Sequence, residues 1–385
     1  MIDYLCITVD GLHGGMIGAY GNGWIQTPTL DLLATESAVF DRYYADSLDI
    51  ATIFDSLWGE LPVEFRAKGY RTVLLTDDTD VSHHASATGF SEVHRLETAN
   101  REKPADSVEQ TLLFEAFATV VDLLESNRTA PYFFWLHLRG FHGPWDFPVV
   151  ERAKYQAEDD PEPYSGAVPP AVDGEIDPDV LQSVMEGYGG GVSILDAALG
   201  GLLDSLQEGE LGSNTLLLFG STRGFALGEH RRIGDDKRLY GENLHLPLMI
   251  RFPNGFGAAV RSPMLFQPVD LKNFLAHPSN LQALIAKEAE TFRESLTIHG
   301  EHGETAFVTP EWFLRRVPSI DERGKTVHTE LYVKPDDRWE VNDVADRCGE
   351  MLEEGTILAA LLRPEKQDGE TAQKRNRKEP NDDLE

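Results

Sequence analysis

Met1 to Gly11 reads MIDYLCITVDG. Tyr4 to Val9 is a short apolar run rich in strand-forming residues, and it closes on Asp10-Gly11, a turn pair. The segment has no basic start and no small-residue cleavage site. Its apolar stretch stops too soon for an export signal, so it is expected to be a strand. Runs of the same kind recur at Tyr70 to Leu75, Tyr132 to Leu138, Leu216 to Phe219 and Leu246 to Phe252. Helical patterns lie between them. Thr27-Pro28 looks like a cap followed by proline in the first turn, with Leu30, Leu33 and Ala34 on one face. A helix over Leu61 to Lys68 ends at Gly69. Asp106 to Glu125 sets Leu113, Phe117, Val120, Val121 and Leu124 at helical spacing. Pro178 to Leu206 does the same with Ile194, Leu195, Leu199, Leu202 and Leu203.

Strands alternating with helices predict an α/β fold, a mostly parallel central sheet sandwiched by helices. Chemistry in such sheets gathers at the carboxyl ends of the strands. The residues to watch are therefore Asp10-Gly11, Thr76-Asp77-Asp78, Arg139 to His142 and Ser221 to Gly224. Residues 151 to about 180 are acidic and proline-rich, a long surface connection. Near residue 300 the pattern shifts to short strands, Thr305 to Val308 and Val327 to Val333, and then a helix near Glu350 to Leu362. The expected division is an α/β core over 1–270, a smaller C-terminal α+β subdomain over 271–362 and a disordered charged tail over 363–385.

The 385 residues are 41% hydrophobic and 26% charged, enough to bury a sizeable core. Thirty-four basic residues against 65 acidic ones give a net charge of −31, which repels phosphate backbones and anionic lipid. Neither nucleic acid nor membrane is expected as a partner. Two cysteines, Cys6 and Cys348, rule out a disulfide framework and a cysteine-rich zinc site. A cytoplasmic location follows as the expectation. Asn127-Arg128-Thr129 fits a glycosylation sequon, which has no meaning without secretion.

Several stretches, taken in order, resemble the sulfatase family of the alkaline-phosphatase superfamily. VDGLHGGMIGAYGNGWIQTPTLDLLATESAVFDRYYA (9–45) is similar to the family's opening, where the first strand ends in two aspartates. FHGPWDFP (141–148) resembles its His-x-Pro segment. VSILDAALGGLLDSLQEGELGSNTLLLFGSTRG (192–224) resembles the stretch ending in Ser-Asp-His/Asn-Gly. LGEH (227–230), YGENLHLPLMIRFPNG (240–255), TAFVTPEWFLRRV (305–317) and HTELYVKPDDRWEVNDVADR (328–347) match later pieces. The resemblance implies an alkaline-phosphatase/sulfatase-like fold. It also implies a chemistry in which a Cys-x-Pro-Ser-Arg cysteine becomes formylglycine and attacks sulfur. A calcium ion held by four side chains neutralises the sulfate, and lysines and histidines hold the remaining oxygens.

The chain departs from that pattern where the chemistry sits. Asp10 matches the first metal aspartate, but Gly11 stands in place of the second. Thr222-Arg223 replaces the second metal-binding pair, and arginine has no lone pair to donate. The cysteine position falls near Asp49, in SLDIATIFDSLWG, which holds no cysteine. Thr76-Asp77-Asp78-Thr79 replaces a lysine and histidine clamp. Asp10 is therefore either a weak residual metal ligand or a strand-end partner in a salt bridge. His142 and His230 either hold an oxyanion or are hydrogen-bonded loop residues. Asp49 is a carboxylate nucleophile or a bystander. Lys237 lies within a residue of the family's sulfate-contacting lysine, although Asp236 fits the strict spacing. Asp77-Asp78 reads as a solvated turn. Arg223 is expected either to fill the vacated metal position against Asp10 or to turn into solvent.

The resulting expectation is a sulfatase-like protein with a degenerate site, a pseudoenzyme with a binding or regulatory role. No cofactor is expected, a small anion could occupy the residual pocket, and the sequence names no protein partner. The alternative is an active sulfate- or phosphate-ester hydrolase with a rearranged site that uses calcium. A third reading is a subunit whose partner completes the site.

Overall fold

A computed structural model describes residues 1–126, 130–209, 212–286, 293–321 and 324–349. The expected helix near Glu350 to Leu362, the tail over 363–385 and the sequon at 127–129 lie outside the described residues.

Asp3–Val9 lies inside the main sheet. It pairs in parallel with Tyr132–Leu138 on one side and with Thr215–Gly220 on the other. Arg71–Thr76 and Glu92–Arg95 extend the sheet in parallel beyond Tyr132–Leu138. On the other side the direction changes. Leu248–Arg251 runs antiparallel between Thr215–Gly220 and Ala38–Tyr44. The strand expected over Leu246 to Phe252 is interrupted at Pro247, which has no N–H for the ladder, and His245–Leu246 pairs separately with Ala38–Tyr44. Val260–Phe266 adds in parallel to Ala38–Tyr44. The sheet is thus mixed and mostly parallel, with helices on both faces.

Alternation along the first strand sends Leu5, Ile7 and Val9 into one core and Tyr4 and Cys6 into the other. Thr8 and Asp10 follow Cys6 in that alternation, so they lie on the side of helix Ile50–Leu57, whose Phe54, with Trp58 just after the helix, fills the second core. Trp58, Trp135 and Trp145 are fully buried, and each such side chain contributes about 3 kcal/mol by leaving water.

The 31-residue helix Pro178–Glu208 organises the loops around the first strand. At Gly190 a Cβ would lie 2.4 Å from the Glu151 carbonyl oxygen, so glycine is what lets the 149–152 segment pack against this helix. Tyr188 Oη donates to the Gly11 carbonyl at 2.7 Å and accepts from the His13 amide at 2.8 Å. Asp196 accepts from the Thr29 and Leu30 amides at 3.1 and 2.8 Å, and so caps helix Pro28–Glu36 from outside it.

The helix expected from Asp106 begins at Leu112 instead, after a single turn at Val108–Gln110. Asp146, from a distant loop, accepts from the Leu112 amide at 2.8 Å and sets that start. No helix among the described residues is long and apolar enough to cross a membrane.

A second, antiparallel sheet follows, Leu296–His299, Thr305–Val308, Trp312–Asp321 and Gly324–Val333 in order. Leu296, Ile298, Ala306, Val308, Phe313 and Tyr332 join the core on the Phe54 side of the main sheet. Helix Pro268–Ala276 also packs there through Leu271, Phe274 and Leu275.

Candidate active site

The ends of the central strands are tied by backbone bonds. The Asp10 amide donates to the Leu138 carbonyl at 2.8 Å, the Phe141 amide to the Asp10 carbonyl at 3.0 Å, and the Gly11 amide to the Arg223 carbonyl at 2.9 Å. Ser221 Oγ reaches the Val9 carbonyl at 2.8 Å. Three turns distant in sequence therefore meet at one sheet edge, and Asp10, His142, Thr222 and Arg223 meet with them.

Asp10 is buried, and its carboxylate is fully engaged. Thr222 Oγ1 donates to Oδ1 at 2.7 Å, Arg223 Nη2 to Oδ2 at 2.6 Å, and Arg223 Nε to both oxygens at 3.1 and 3.2 Å. This is the two-pronged grip that a planar guanidinium makes on a carboxylate. Burial, the largest single influence, raises the Asp10 pKa, but the Arg223 charge, the His142 ring, the hydrogen bonds from Arg223 and the His137 ring together hold the carboxyl well below the usual range. Arg223 moves the opposite way: burial disfavours its charge, Asp10 with Asp235 and Asp78 more than compensates, and its pKa rises. The free end of the guanidinium, Nη1, reaches the Leu48 carbonyl at 3.3 Å and Asp235 Oδ1 at 3.6 Å.

His142 Nε2 lies 2.9 Å from the Gly224 carbonyl, which can only accept, so that nitrogen carries the hydrogen. Burial first, and Arg223 after it, lower the His142 pKa despite the pull of Asp10, so the ring is neutral at neutral pH. Beneath it sits a residue that sequence reasoning missed, His137. It is fully buried, its Nδ1 is 3.1 Å from Thr8 Oγ1, and burial lowers its pKa to about 4. Its Nε2 has no hydrogen-bond partner among the described residues. A histidine inside the apolar run YFFWLHL gives no signal of such a place.

Asp49 is the N-cap of helix Ile50–Leu57. Its Oδ2 accepts from the Thr52 amide at 2.9 Å and from Thr52 Oγ1 at 2.7 Å. Those bonds, the hydroxyl first, lower its pKa. Asp49 borders a cleft of about 180 Å³ with Ser47, Leu48, Lys237, His299 and Glu301. Lys237, rather than Asp236, faces this cleft, with Nζ 3.4 Å from the Leu48 carbonyl. Asp236 turns to Arg232, 3.5 Å away. His230 is not brought to Asp10. It is held by Glu242 at 2.9 Å and the Glu340 carbonyl at 3.0 Å, and it stacks on Tyr240 at 3.7 Å.

The Asp77-Asp78 pair is no solvated turn. Asp77 is buried, accepts from the Arg139 amide at 2.7 Å, and burial pushes its pKa up to about 7. Asp78 caps the short helix Thr79–Ser82, accepting from Asp80 N at 2.8 Å.

The family model described as Sulfatase matches residues 60–276, more than half of the chain. The chain belongs to the sulfatase family. Human iduronate 2-sulfatase is 25% identical over 334 residues, covering 66% of this chain and 60% of that protein. The Clostridium perfringens arylsulfatase is 22% identical over 391 residues, covering 77% of this chain and 80% of the relative. The chain thus spans less than two thirds of the length of iduronate 2-sulfatase. Among solved structures, the phosphonate monoester hydrolase of Agrobacterium radiobacter superposes with a TM-score of 0.73 at 16% identity, over 94% of this chain and 95% of that one. A protein solved with its substrate D-glucosamine-2-N,6-O-disulfate gives 0.74 at 17%, over 94% and 96%. At these identities the structures share the fold.

Against that sulfatase background the metal can be tested on the residues present. Calcium needs about 6–8 oxygens and several carboxylates. Here both Asp10 oxygens face Arg223, and the guanidinium stands among the very groups a cation would use. Gly11 has φ +73°, and a Cβ on it would lie 2.9 Å from His142 Cδ2, so an aspartate could not be added there without moving that ring. Among the described residues no three His, Cys, Asp or Glu side chains group to hold a metal. The donor set does not fit calcium.

Proposed function

We propose that this chain is a catalytically degenerate member of the sulfatase family, a pseudoenzyme with a binding or regulatory role. The observation that supports this most directly concerns the cysteines. In the chemistry that the resemblance implies, a cysteine at the site is the formylglycine precursor, and the chain has only Cys6 and Cys348. Cys6 is fully buried in the middle of the first strand, where burial pushes its thiol pKa up, and Cys348 lies beyond the second sheet. At the strand ends, Asp49 serves as a helix cap and Arg223 neutralises Asp10. Among the described residues neither of these two groups is then left over to act on sulfur.

The cleft beside Lys237 is the surface on which a ligand would act. A sulfate or other small anion there would meet one lysine against Asp49, Asp235 and Glu301, so this reading favours a neutral or cationic ligand over the anion expected from the sequence. The same reading places the chain in the cytoplasm and away from nucleic acid, given its free cysteines and its charge of −31.

The test is hydrolysis of an aryl sulfate, with and without calcium, by protein free of contaminating sulfatases. No turnover above the uncatalysed rate is expected. Calcium-dependent turnover would replace this reading with that of an active ester hydrolase with a rearranged site.

A further inference from the structure

The oxygens around the Arg223 guanidinium come from three separate segments. Asp10 supplies two at 2.6–3.2 Å from the end of the first strand. Leu48 supplies a carbonyl at 3.3 Å from the loop before helix Ile50–Leu57, and Asp235 supplies a carboxylate at 3.6 Å from a third loop. Asp78 adds negative charge from beyond the end of Arg71–Thr76, two strands from Asp3–Val9. An oxygen-only shell drawn from distant segments, with an excess of carboxylate, is the environment of a bound cation rather than of a surface ion pair. The residue inside it is held at both ends. Its own carbonyl accepts from Gly11 N at 2.9 Å and from Ser221 Oγ at 2.6 Å, and the next residue, Gly224, allows no side chain because a Cβ would lie 1.8 Å from the Glu242 carbonyl oxygen. The arginine backbone is thus fixed where the side chain must enter the shell.

We propose that Arg223 is a built-in cation: its guanidinium permanently fills an oxygen-lined site that would otherwise take a divalent metal ion, and through Leu48 it fastens the 47–49 loop to the sheet edge. The fixed charge excludes a second cation by repulsion and by volume. It also holds Asp10 ionised without any dependence on free metal concentration. Lys237 supports the same loop from outside, through the same Leu48 carbonyl at 3.4 Å. The inference deepens the reading of this site without depending on it, because turnover tests the function and cation response tests the filling.

The experiment is thermal unfolding of the full chain and of Arg223→Asp, each with and without millimolar calcium. The wild type is expected to show no calcium shift. Arg223→Asp is expected to melt clearly lower and to recover part of the loss on adding calcium, since the change removes the fixed cation and adds a carboxylate to the shell. Should the aspartate variant not yield folded protein, Arg223→Ala replaces it. Its melting temperature should rise with a few millimolar methylguanidinium and stay unchanged with the same concentration of urea. A wild type stabilised by calcium would overturn the proposal. So would an Arg223→Asp variant as stable as wild type or indifferent to calcium, or an alanine variant that methylguanidinium does not rescue. Sulfatase turnover in the wild type without any calcium response would defeat the proposed function and leave the built-in cation standing.

Discussion

Two buried arginines organise two different regions. At the sheet edge, Arg223 meets one buried carboxylate, Asp10, and one exposed carboxylate, Asp235. At the junction with the second sheet, Arg315 meets two largely buried carboxylates, Glu304 Oε1 at 2.5 Å and Glu330 Oε2 at 2.9 Å, and also Tyr240 Oη at 2.7 Å. The Tyr240 ring lies between the Arg315 guanidinium at 4.0 Å and the His230 imidazole at 3.7 Å. The junction distributes its charge over a stacked network that joins strands Thr305–Val308, Trp312–Asp321 and Gly324–Val333 to the loop at 239–241. The sheet edge concentrates most of it on one buried carboxylate, Asp10, with Asp235 at its rim. A network of shared partners is a device for fastening two layers. A bidentate pair at the strand ends is, on the proposal above, a substitution of one cation for another.

The comparison breaks most sharply if both arginines are truncated. Removing one member of a buried pair costs about 3–5 kcal/mol, because the other charge is left without compensation. Arg315→Ala strands two carboxylates and should fall at the upper end. Arg223→Ala strands one, which can take up a proton, and should fall at the lower end. Urea unfolding of both variants at pH 7 checks the order, and equal losses would show that the two sites are alike.

The two aspartates at the sheet edge should respond to pH with opposite sign. Asp10 has a lowered native pKa, so the stability it contributes is present above the ordinary carboxylate range and is lost as pH falls. Asp77 has a raised native pKa of about 7, so it favours the fold only at low pH, and that contribution is lost as pH rises from about 4 to 7. Asp77→Asn keeps an acceptor for the Arg139 amide. It should leave stability unchanged near pH 4 and raise it at pH 8, the gain growing by at most about 1.4 kcal/mol per pH unit. Denaturant midpoints at the two pH values decide it.

Much of this layout was legible in the sequence. Tyr132–Leu138 ends where expected, because a seven-residue run of bulky, mostly aromatic side chains is the length and composition of a strand buried on both faces. The meeting of Asp10, His142 and Thr222 at one edge follows from strands that end in turns on the same side of a parallel sheet. Ala38–Tyr44 and Val260–Phe266 escaped notice because Asp41, Arg42, Arg261 and Pro263 interrupt their apolar pattern; Val260–Phe266 pairs only with Ala38–Tyr44 among the described strands, and such residues are tolerated at an edge. The start of the helix at Leu112 depends on Asp146, a contact across the fold that no local pattern encodes. The choice between Asp236 and Lys237 depended on where Arg232 and Leu48 lie, and burial of Asp77 on the packing of a loop end. His137 carried no mark at all.

Smaller changes sharpen the picture of the site itself. Gly11→Asp would restore the missing acid in name, but φ +73° and the close His142 ring make it cost about 1–3 kcal/mol, and it should not create calcium binding. A stabilised Gly11→Asp that binds calcium would show the edge to be more adaptable than its packing implies. Asp49→Ala should cost about 1 kcal/mol, the loss of a helix cap, and no more. A larger loss, or a change in any measured activity, would give Asp49 a role beyond holding its helix.

The central claim is that a fixed guanidinium stands where a metal would be needed. Elemental analysis of the purified chain, equilibrated with calcium and then freed of unbound ion, tests it most directly. The account predicts calcium far below one equivalent per chain. One tightly held calcium per chain would contradict it.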